Sequence, residues 1–417
     1  MYRTILLRIE KMTGIDATYF VSNGFWVTAN QIISLCGSLL VTIVFAHLLT
    51  LEQFGNYRYL VALAAFFSMF SLNSIGQSIM QTSAQGNANF FNYAIRLNLW
   101  YSIGTVTISL TAGIYYAVNH NLLLAGGCLI IAILQPLIST HFNIFSLLAG
   151  QKKFKEASVF QTIRISIITV GSLLTIFFTR NVLVIFLVFQ LLQLITGYAG
   201  YLRFKPMRTC PAELTEEIRK KYTSFALHQS IQNGILNIAQ RLDAIVIFQY
   251  LGATQLALYA VAFIIPEQLK SMVKNVSTLL FPKYVHYSEE QFQRSIPKRS
   301  LQLFIVLCLL TFAYIILAPF VFQVLFPKYP TALFYSQLLA LTIPTSALFL
   351  AQSALKAQTK SRVLYHIQIS SACIKIALML LGTYFFGILG IVYASIVSAY
   401  IEMALYIPSY IQKRKRP

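Results

Sequence analysis

Four basic side chains stand near the middle of long apolar runs: Arg241, Lys270, Lys274 and Lys375. A Lys or Arg at the centre of a bilayer costs about 2.5–3.5 kcal/mol on insertion scales, so four facing lipid would cost about 10 kcal/mol. They are expected to face a wet cavity, an anion or one another. The carboxylates at hand are few. Glu267 lies three residues before Lys270 and Lys274 four after it, which places all three on one helical stripe. Asp243 is two residues from Arg241 and points to another face, and Glu402 sits in the last apolar run. Asp243, Glu267 and Glu402 against four cations leave a net positive site. Such a site suits an anionic ligand, and pyrophosphate fits: Arg241 can hold phosphate oxygens in a bidentate fork, while lysines act as mobile point charges. Internal ion pairing between helices is the competing explanation. Arg96 and Arg164 fall near the ends of their runs, where snorkelling is cheap.

Polar residues recur at helical spacing beside these cations. Asn73, Gln77 and Gln81 form one stripe and Asn233, Asn237 and Arg241 another. Gln368, Ser371 and Lys375 share a face, as do Asn30, Ser34 and Ser38. A glycan needs amide and hydroxyl partners, and Tyr57, Tyr59 and Tyr259 offer rings for sugar faces. Interhelical hydrogen bonding and interfacial anchoring explain the same residues equally well. The histidines show no ligand spacing, and no metal or cofactor site is expected. There is no phosphate-binding loop of the Gly-x-x-x-x-Gly-Lys-(Ser/Thr) kind, so a driving force must come from an ion gradient or from consumption of product. Asp243, Glu267 and Glu402 are the candidate protonation sites for coupling to H+ or Na+.

The elements that must position these groups follow from composition. Of 417 residues, 57% are hydrophobic and 11% charged, with mean hydropathy +0.68. Soluble domains carry about a quarter charged residues. The apolar residues fall into twelve blocks of roughly membrane-spanning length: 23–48, 58–80, 92–116, 122–149, 159–178, 182–201, 223–250, 257–282, 300–325, 331–356, 364–386 and 387–411. An all-α polytopic membrane protein with twelve transmembrane helices is therefore expected. The net charge of +20 does not point to nucleic acid, because it is topological. With loops assigned alternately, 23 Lys and Arg fall on one side and three, Arg58, Arg180 and Lys328, on the other. Cytoplasmic loops carry the excess of cations, so both termini are expected inside. Residues 1–22 read as a basic amphipathic segment on the cytoplasmic surface. Five scattered cysteines give neither a disulfide framework nor a metal motif.

The longest polar break, 202–222, divides the chain into six spans and six, a 23–201 lobe and a 223–411 lobe, followed by a basic tail at 412–417. The halves repeat. Leu49-Thr-Leu-Glu-Gln-Phe-Gly-Asn-Tyr57 aligns with Leu251-Gly-Ala-Thr-Gln-Leu-Ala-Leu-Tyr259. Further on, Ser146, Leu148, Gln151, Lys153 and Gln161 align with Ser353, Leu355, Gln358, Lys360 and Gln368. An even number of spans per half gives both the same orientation, and parallel repeats usually bind substrate near the midplane where the halves meet. Pro136 and Pro344 occupy nearly matching places in the fourth helix of each half, and Pro266 interrupts the eighth, which suggests kinks used in alternating access.

Ala46-His-Leu-Leu-Thr-Leu-Glu-Gln-Phe-Gly-Asn-Tyr57 resembles the turn after the first helix of polysaccharide exporters of the multidrug/oligosaccharidyl-lipid/polysaccharide (MOP) superfamily. Gln240-Arg-Leu-Asp243, Leu251-Gly252-Ala253, Leu258-Tyr-Ala-Val-Ala-Phe263 and Leu280-Phe-Pro282 resemble the corresponding helix pair of Wzx-type O-antigen and capsule flippases. The pattern departs at Thr50, where a Gly is common, and at Ala257. The resemblance implies a substrate: an undecaprenyl-pyrophosphate-linked oligosaccharide repeat unit, turned from the cytoplasmic to the periplasmic leaflet of a bacterial inner membrane. It also implies partners in the lipid bilayer, a glycan polymerase and a chain-length regulator. A cation-coupled drug exporter of the same superfamily is the alternative, disfavoured because the first six apolar runs contain no carboxylate. A non-transporting scaffold would leave mid-membrane cations without a purpose.

Overall fold

The computed structural model describes residues 17–208, 214–279, 289–357 and 361–411. The start of the expected amphipathic segment, the Leu280–Pro282 stretch, the middle of the 202–222 linker and the 412–417 tail lie outside them.

The described chain is nearly all helix, as a lipid solvent demands, since every backbone polar group must be satisfied within the segment. In order, the helices are α1 Ala17–Leu48, α2 Leu51–Phe67, α3 Ile75–Ala84, α4 Phe90–Tyr101, α5 Ile103–Val118, α6 Leu122–Phe142, α7 Ile144–Gly150, α8 Phe154–Phe178, α9 Val182–Arg203, α10 Glu216–Leu251, α11 Ala253–Leu279, α12 Glu289–Leu325, α13 Pro330–Ala340, α14 Leu348–Ala357 and α15 Ser361–Ile411. Among the described residues eight helical stretches are long and apolar enough to cross a membrane, or nine if the bent pair of α2 and α3 is one span. Large apolar side chains cover outward faces, Phe178 at 87% and Tyr384 at 83% exposure among them. In water such surface would aggregate, but hydrocarbon is its natural solvent.

Several helices are broken where the sequence suggests single runs. The 58–80 block bends by 61° between the turn Ser68–Phe70 and α3, so Asn73 stands in the break and not on one continuous stripe with Gln77. Pro136 remains inside α6, and its carbonyl accepts from Ser139 Oγ and Thr140 Oγ1 at 3.0 and 2.7 Å. Pro344 instead opens a 3-10 turn, Pro344–Ala347, between α13 and α14. The two prolines are thus not equivalent kinks: one is absorbed by a helix and the other separates two. In α15 a true reversal occurs at Gly387, with φ 57° and ψ −132°, a conformation closed to residues with a Cβ.

Helix boundaries recur at the offsets of the sequence repeat. α2 begins at Leu51 and α11 at Ala253, while α8 begins at Phe154 and α15 at Ser361. The two turns differ in chemistry and in the backbone of the aligned residue. At the first, Thr50 and Gln53 form a reciprocal capping box: Gln53 N–H donates to Thr50 Oγ1 at 3.2 Å and Thr50 N–H to Gln53 Oε1 at 3.1 Å. At the second, Gly252 adopts φ +87°. The departure at Thr50 is therefore a substitution of side-chain capping for backbone freedom.

The chain gathers into two compact units. The first takes the chain up to Val41 with Ala64–Gly234, and the second takes Thr42–Leu63 with the chain from Ile235. In the first, α6 packs against α5 and α9, and α3 against α7. One apolar core there joins Leu72, Ile75, Phe90, Phe91, Ile144, Leu147 and Phe204. In the second, α11 and α12 pack on α13 and the Pro344 turn around Tyr314, Ala318, Ala340 and Ile343. There α2 meets the start of α11 backbone to backbone: a Cβ on Gly55 would lie 1.9 Å from the carbonyl oxygen of Ala253. No rotamer relieves a clash with main chain. Gly55→Ala is expected to destabilise the purified protein by at least the roughly 1–3 kcal/mol typical of overpacking, and Gly55→Val to abolish folded material. Thermal melting in detergent measures this. Gly234→Ala is the control, since its would-be Cβ meets only Met69 Cε, at 3.9 Å, an ordinary van der Waals contact.

Candidate functional site

The second unit holds every cation that the sequence marks as central, in two clusters. In the first cluster, α10 supplies Arg241 and Asp243 and α11 supplies Tyr259. Asp243 is 8% exposed; its Oδ2 accepts from the Tyr259 hydroxyl at 3.2 Å, and its Oδ1 from the N–H of Ala244 at 2.9 Å. Arg58, on α2, lies within electrostatic reach of both Arg241 and Asp243. Among the described residues neither arginine closes on Asp243 as an ion pair; the pairs formed are Lys270–Glu267 and Lys220–Glu216. Arg58 is thus drawn to a carboxylate that already accepts two hydrogen bonds and is repelled by exposed Arg241. Arg58 is the residue that sequence reading missed. Counted as a loop cation on the far side, it is a helical residue inside the Leu51–Phe67 run, and an arginine seven residues into an apolar helix was the available signal.

In the second cluster, Glu402, from the limb of α15 beyond Gly387, interacts electrostatically with Lys270 of α11 and Lys375 of the preceding limb. Gln352 of α14 donates its Nε2 hydrogen to Glu402 Oε1 at 3.3 Å. Lys270 Nζ also stands 3.5 Å from Glu267 Oε2, an i,i+3 pair whose side chains are 21% and 47% exposed. Lys274 Nζ lies 6.0 Å from the ring centre of Phe349, and half-buried Gln368 precedes Lys375 on the same limb. Lys270 and Lys375 are accordingly balanced by Glu267 and Glu402. Arg58 has Asp243 as its nearby carboxylate and Arg241 as a nearby like charge. Counting Arg58, the two clusters hold Arg58, Arg241, Lys270, Lys274 and Lys375 with Asp243, Glu267 and Glu402.

The polar stripes divide by role. Asn233 donates to Ser74 Oγ at 2.9 Å and Ser74 N–H donates to Ser230 Oγ at 3.0 Å, ties internal to the first unit. Asn73 and Gln77 are exposed there, while Asn237 belongs to the second unit and is half-buried. The tyrosines expected to offer sugar-stacking faces do not. Tyr57, Tyr59 and Tyr259 are 5%, 1% and 4% exposed; Tyr59 stacks on Phe248 at 3.7 Å and its hydroxyl accepts from Gln249 at 2.8 Å. They are core residues. Arg164 overturns its expectation in the other direction. Instead of snorkelling it is 6% exposed, with its guanidinium 4.9 Å from the Phe142 ring and Nη2 donating to Gln193 Oε1 at 3.3 Å.

Comparison with known proteins follows this geometry. A family model described as "Polysaccharide biosynthesis protein" matches residues 44–328. No curated protein sequence matches the chain. Among solved structures, an inward-facing multidrug resistance MATE transporter of the MOP superfamily is similar at TM-score 0.66 and 14% identity, covering 92% of this chain and 96% of that one. The lipid II flippase MurJ, in an inward closed conformation, is similar at TM-score 0.65 and 12% identity over 94% and 88%. A MOP transporter from Pyrococcus furiosus, described by the reverse polarity of its binding pocket, gives 0.54 and 14% over 93% and 96%. These identities establish the fold. The family match spans more than half of the chain, so this protein belongs to the polysaccharide biosynthesis protein family and is built on the fold of MOP-superfamily transporters.

Proposed function

We propose that the protein flips undecaprenyl-pyrophosphate-linked oligosaccharide repeat units from the cytoplasmic to the periplasmic leaflet, in O-antigen, capsule or exopolysaccharide synthesis. In this reading it has twelve spans in two six-helix lobes, residues 23–201 and 223–411, with both termini cytoplasmic in a bacterial inner membrane. It works by alternating access and makes or breaks no covalent bond.

The observation that carries the reading is the pair Arg58 and Arg241 with a single carboxylate, Asp243, between helices of an apolar protein. Removing one charge from water costs several kcal/mol even after relaxation. Two guanidinium groups facing one carboxylate are held at lower cost when a further anion joins them. A pyrophosphate supplies that charge and presents oxygens to both forks, while the polyprenyl chain stays in lipid. Lys270, Lys274 and Lys375 extend the positive field along the substrate's path, with Asn73, Gln77, Asn233, Asn237 and Gln368 as further polar positions. Glu402, between two lysines, and Asp243 and Glu267 are the places where H+ or Na+ coupling would act. A glycan polymerase and a chain-length regulator are the partners of this reading. The alternative, a multidrug exporter, requires an acidic cavity for cationic drugs, and the charge balance is of the opposite sign.

In cells dependent on this chain, Arg58→Gln with Arg241→Gln is expected to lower surface glycan at least about tenfold, equivalent to about 1.4 kcal/mol, with membrane abundance unchanged. Glycan at wild-type level after neutralising Arg58, Arg241, Lys270, Lys274 and Lys375 together would sink the headgroup site. A second expectation concerns stability. Glu402→Gln alone should cost about 1–3 kcal/mol by leaving two lysines without their shared carboxylate, and adding Lys375→Met should restore part of that loss. Thermal melts of the three variants decide it, and additive losses would show that the charges do not interact.

A further inference from the structure

The start of α10 carries a charged surface that the clusters above do not use. There, within the first unit, a groove of about 640 Å³ runs between α4 and the first turns of α10. Its size falls in the range of small-ligand pockets. Glu216, Arg219, Lys220, Thr223, Ser224 and Leu227 follow one another at three- and four-residue spacing, so a single face of α10 lines it. Along that face the chemistry changes in order. Arg219 and Lys220 come first, the Thr223 and Ser224 hydroxyls one turn later, and Leu227 a turn beyond, with Ile231 next on the face and 63% exposed. At 1.5 Å per residue, Arg219 to Ile231 covers about 18 Å. A glycerophospholipid presents the same order: charged phosphate, ester-linked glycerol, acyl chain.

The charge is held in place without being neutralised. Lys220 Nζ pairs with Glu216 Oε1 at 3.2 Å, but Arg219 forms no ion pair among the described residues. Its guanidinium carbon lies 5.5 Å from the centre of the Tyr93 ring, a contact that orients the group against α4 while the residue stays exposed. Thr223 Oγ1 donates to the Tyr93 hydroxyl at 3.5 Å, which leaves the tyrosine's own hydrogen to donate. The helix is fixed beneath the groove. Tyr222 is buried, its hydroxyl donates to Gln85 Oε1 at 2.8 Å, and its carbonyl accepts from Ser78 Oγ at 2.9 Å. The groove therefore offers an oriented guanidinium, an ammonium already paired, and hydroxyl donors, above an apolar exit.

We infer that this groove holds the headgroup of an anionic glycerophospholipid, of the phosphatidylglycerol kind, in the leaflet that the sequence reads as cytoplasmic. The phosphodiester lies on Arg219, the Ser224 and Tyr93 hydroxyls donate to its oxygens, and an acyl chain follows Leu227 and Ile231 into hydrocarbon. One unpaired guanidinium matches the single charge of a phosphodiester. A phosphatidylcholine headgroup brings a quaternary ammonium to a place that already holds Arg219 and Lys220. A soluble phosphate would use the donors and leave Leu227 and Ile231 uncovered. The inference uses neither cationic cluster and stands apart from the pyrophosphate reading of them.

The test is native mass spectrometry of the full-length protein released from nanodiscs of equimolar phosphatidylcholine and phosphatidylglycerol. Wild type is expected to retain phosphatidylglycerol over phosphatidylcholine by at least about fivefold, the effect of one basic residue at an anionic surface. Arg219→Gln should remove most of that preference, and Ser224→Ala, which changes no charge, should lower it about twofold. Arg203→Gln is the control: it takes another exposed cation from outside the groove and should leave the preference intact. Equal retention of the two lipids by wild type, or a preference that survives Arg219→Gln, would overturn the inference. Equal losses in Arg219→Gln and Arg203→Gln would overturn it too, because surface charge alone would then account for the lipid. If glycerol phosphate displaces the bound lipid as effectively as a short-chain phosphatidylglycerol does, the groove reads a soluble phosphate and the inference falls.

Discussion

A charge among helices surrounded by hydrocarbon has to be answered by another charge, by hydrogen bonds or by water, because the alternative costs several kcal/mol per ion. That constraint organises this protein. Its outward helix faces are apolar and need nothing further, as the exposed Phe178 and Tyr384 show. Its inward polar groups are mostly answered within a turn or by a neighbouring helix: Asp243 by Tyr259, Glu402 by Gln352 and two lysines, Ser74 by Asn233 and Ser230. What remains is a small set of guanidinium groups with less negative charge than they require, Arg58 and Arg241 in one unit and Arg164 in the other.

Small-residue geometry sets where those groups stand. Gly55 lets α2 touch the start of α11, which brings Arg58 within electrostatic reach of Arg241 and Asp243 on α10. Gly387 folds α15 back so that Lys375 on one limb and Glu402 on the other reach the same place. Neither contact is a polar interaction. Each is a close approach that makes one possible.

Much of this was legible in the sequence because lipid restricts the alternatives. Apolar run length gave the helical class, and the repeat in Leu49–Tyr57 and Leu251–Tyr259 predicted recurring helix starts. Charge parsimony singled out Arg241, Lys270, Lys274 and Lys375; in the structure Lys270 and Lys375 lie near Glu402, Lys270 also near Glu267, and Arg241 near Arg58. The failures have physical causes. Arg58 and Arg164 were placed by distance along a run, but exposure depends on which neighbour a helix face meets, which spacing alone does not encode. The tyrosines suit a sugar face or an interfacial anchor equally by sequence, and packing around Tyr59 makes it a core residue instead. Pro136 and Pro344 occupy matching positions, yet whether a proline bends or ends a helix depends on the residues after it: Thr140 and Ser139 hydroxyls bond back to Pro136, while a 3-10 turn follows Pro344.

The central claim is that fixed positive charge in the second unit recognises the phosphorylated head of a lipid carrier. The direct measurement is the affinity of the purified protein, in nanodiscs of neutral lipid, for undecaprenyl pyrophosphate and for undecaprenol at two ionic strengths. The account predicts that the pyrophosphate lipid binds at least about tenfold more tightly and that its advantage shrinks as salt rises. Equal affinity for the two lipids, unaffected by salt, would contradict it.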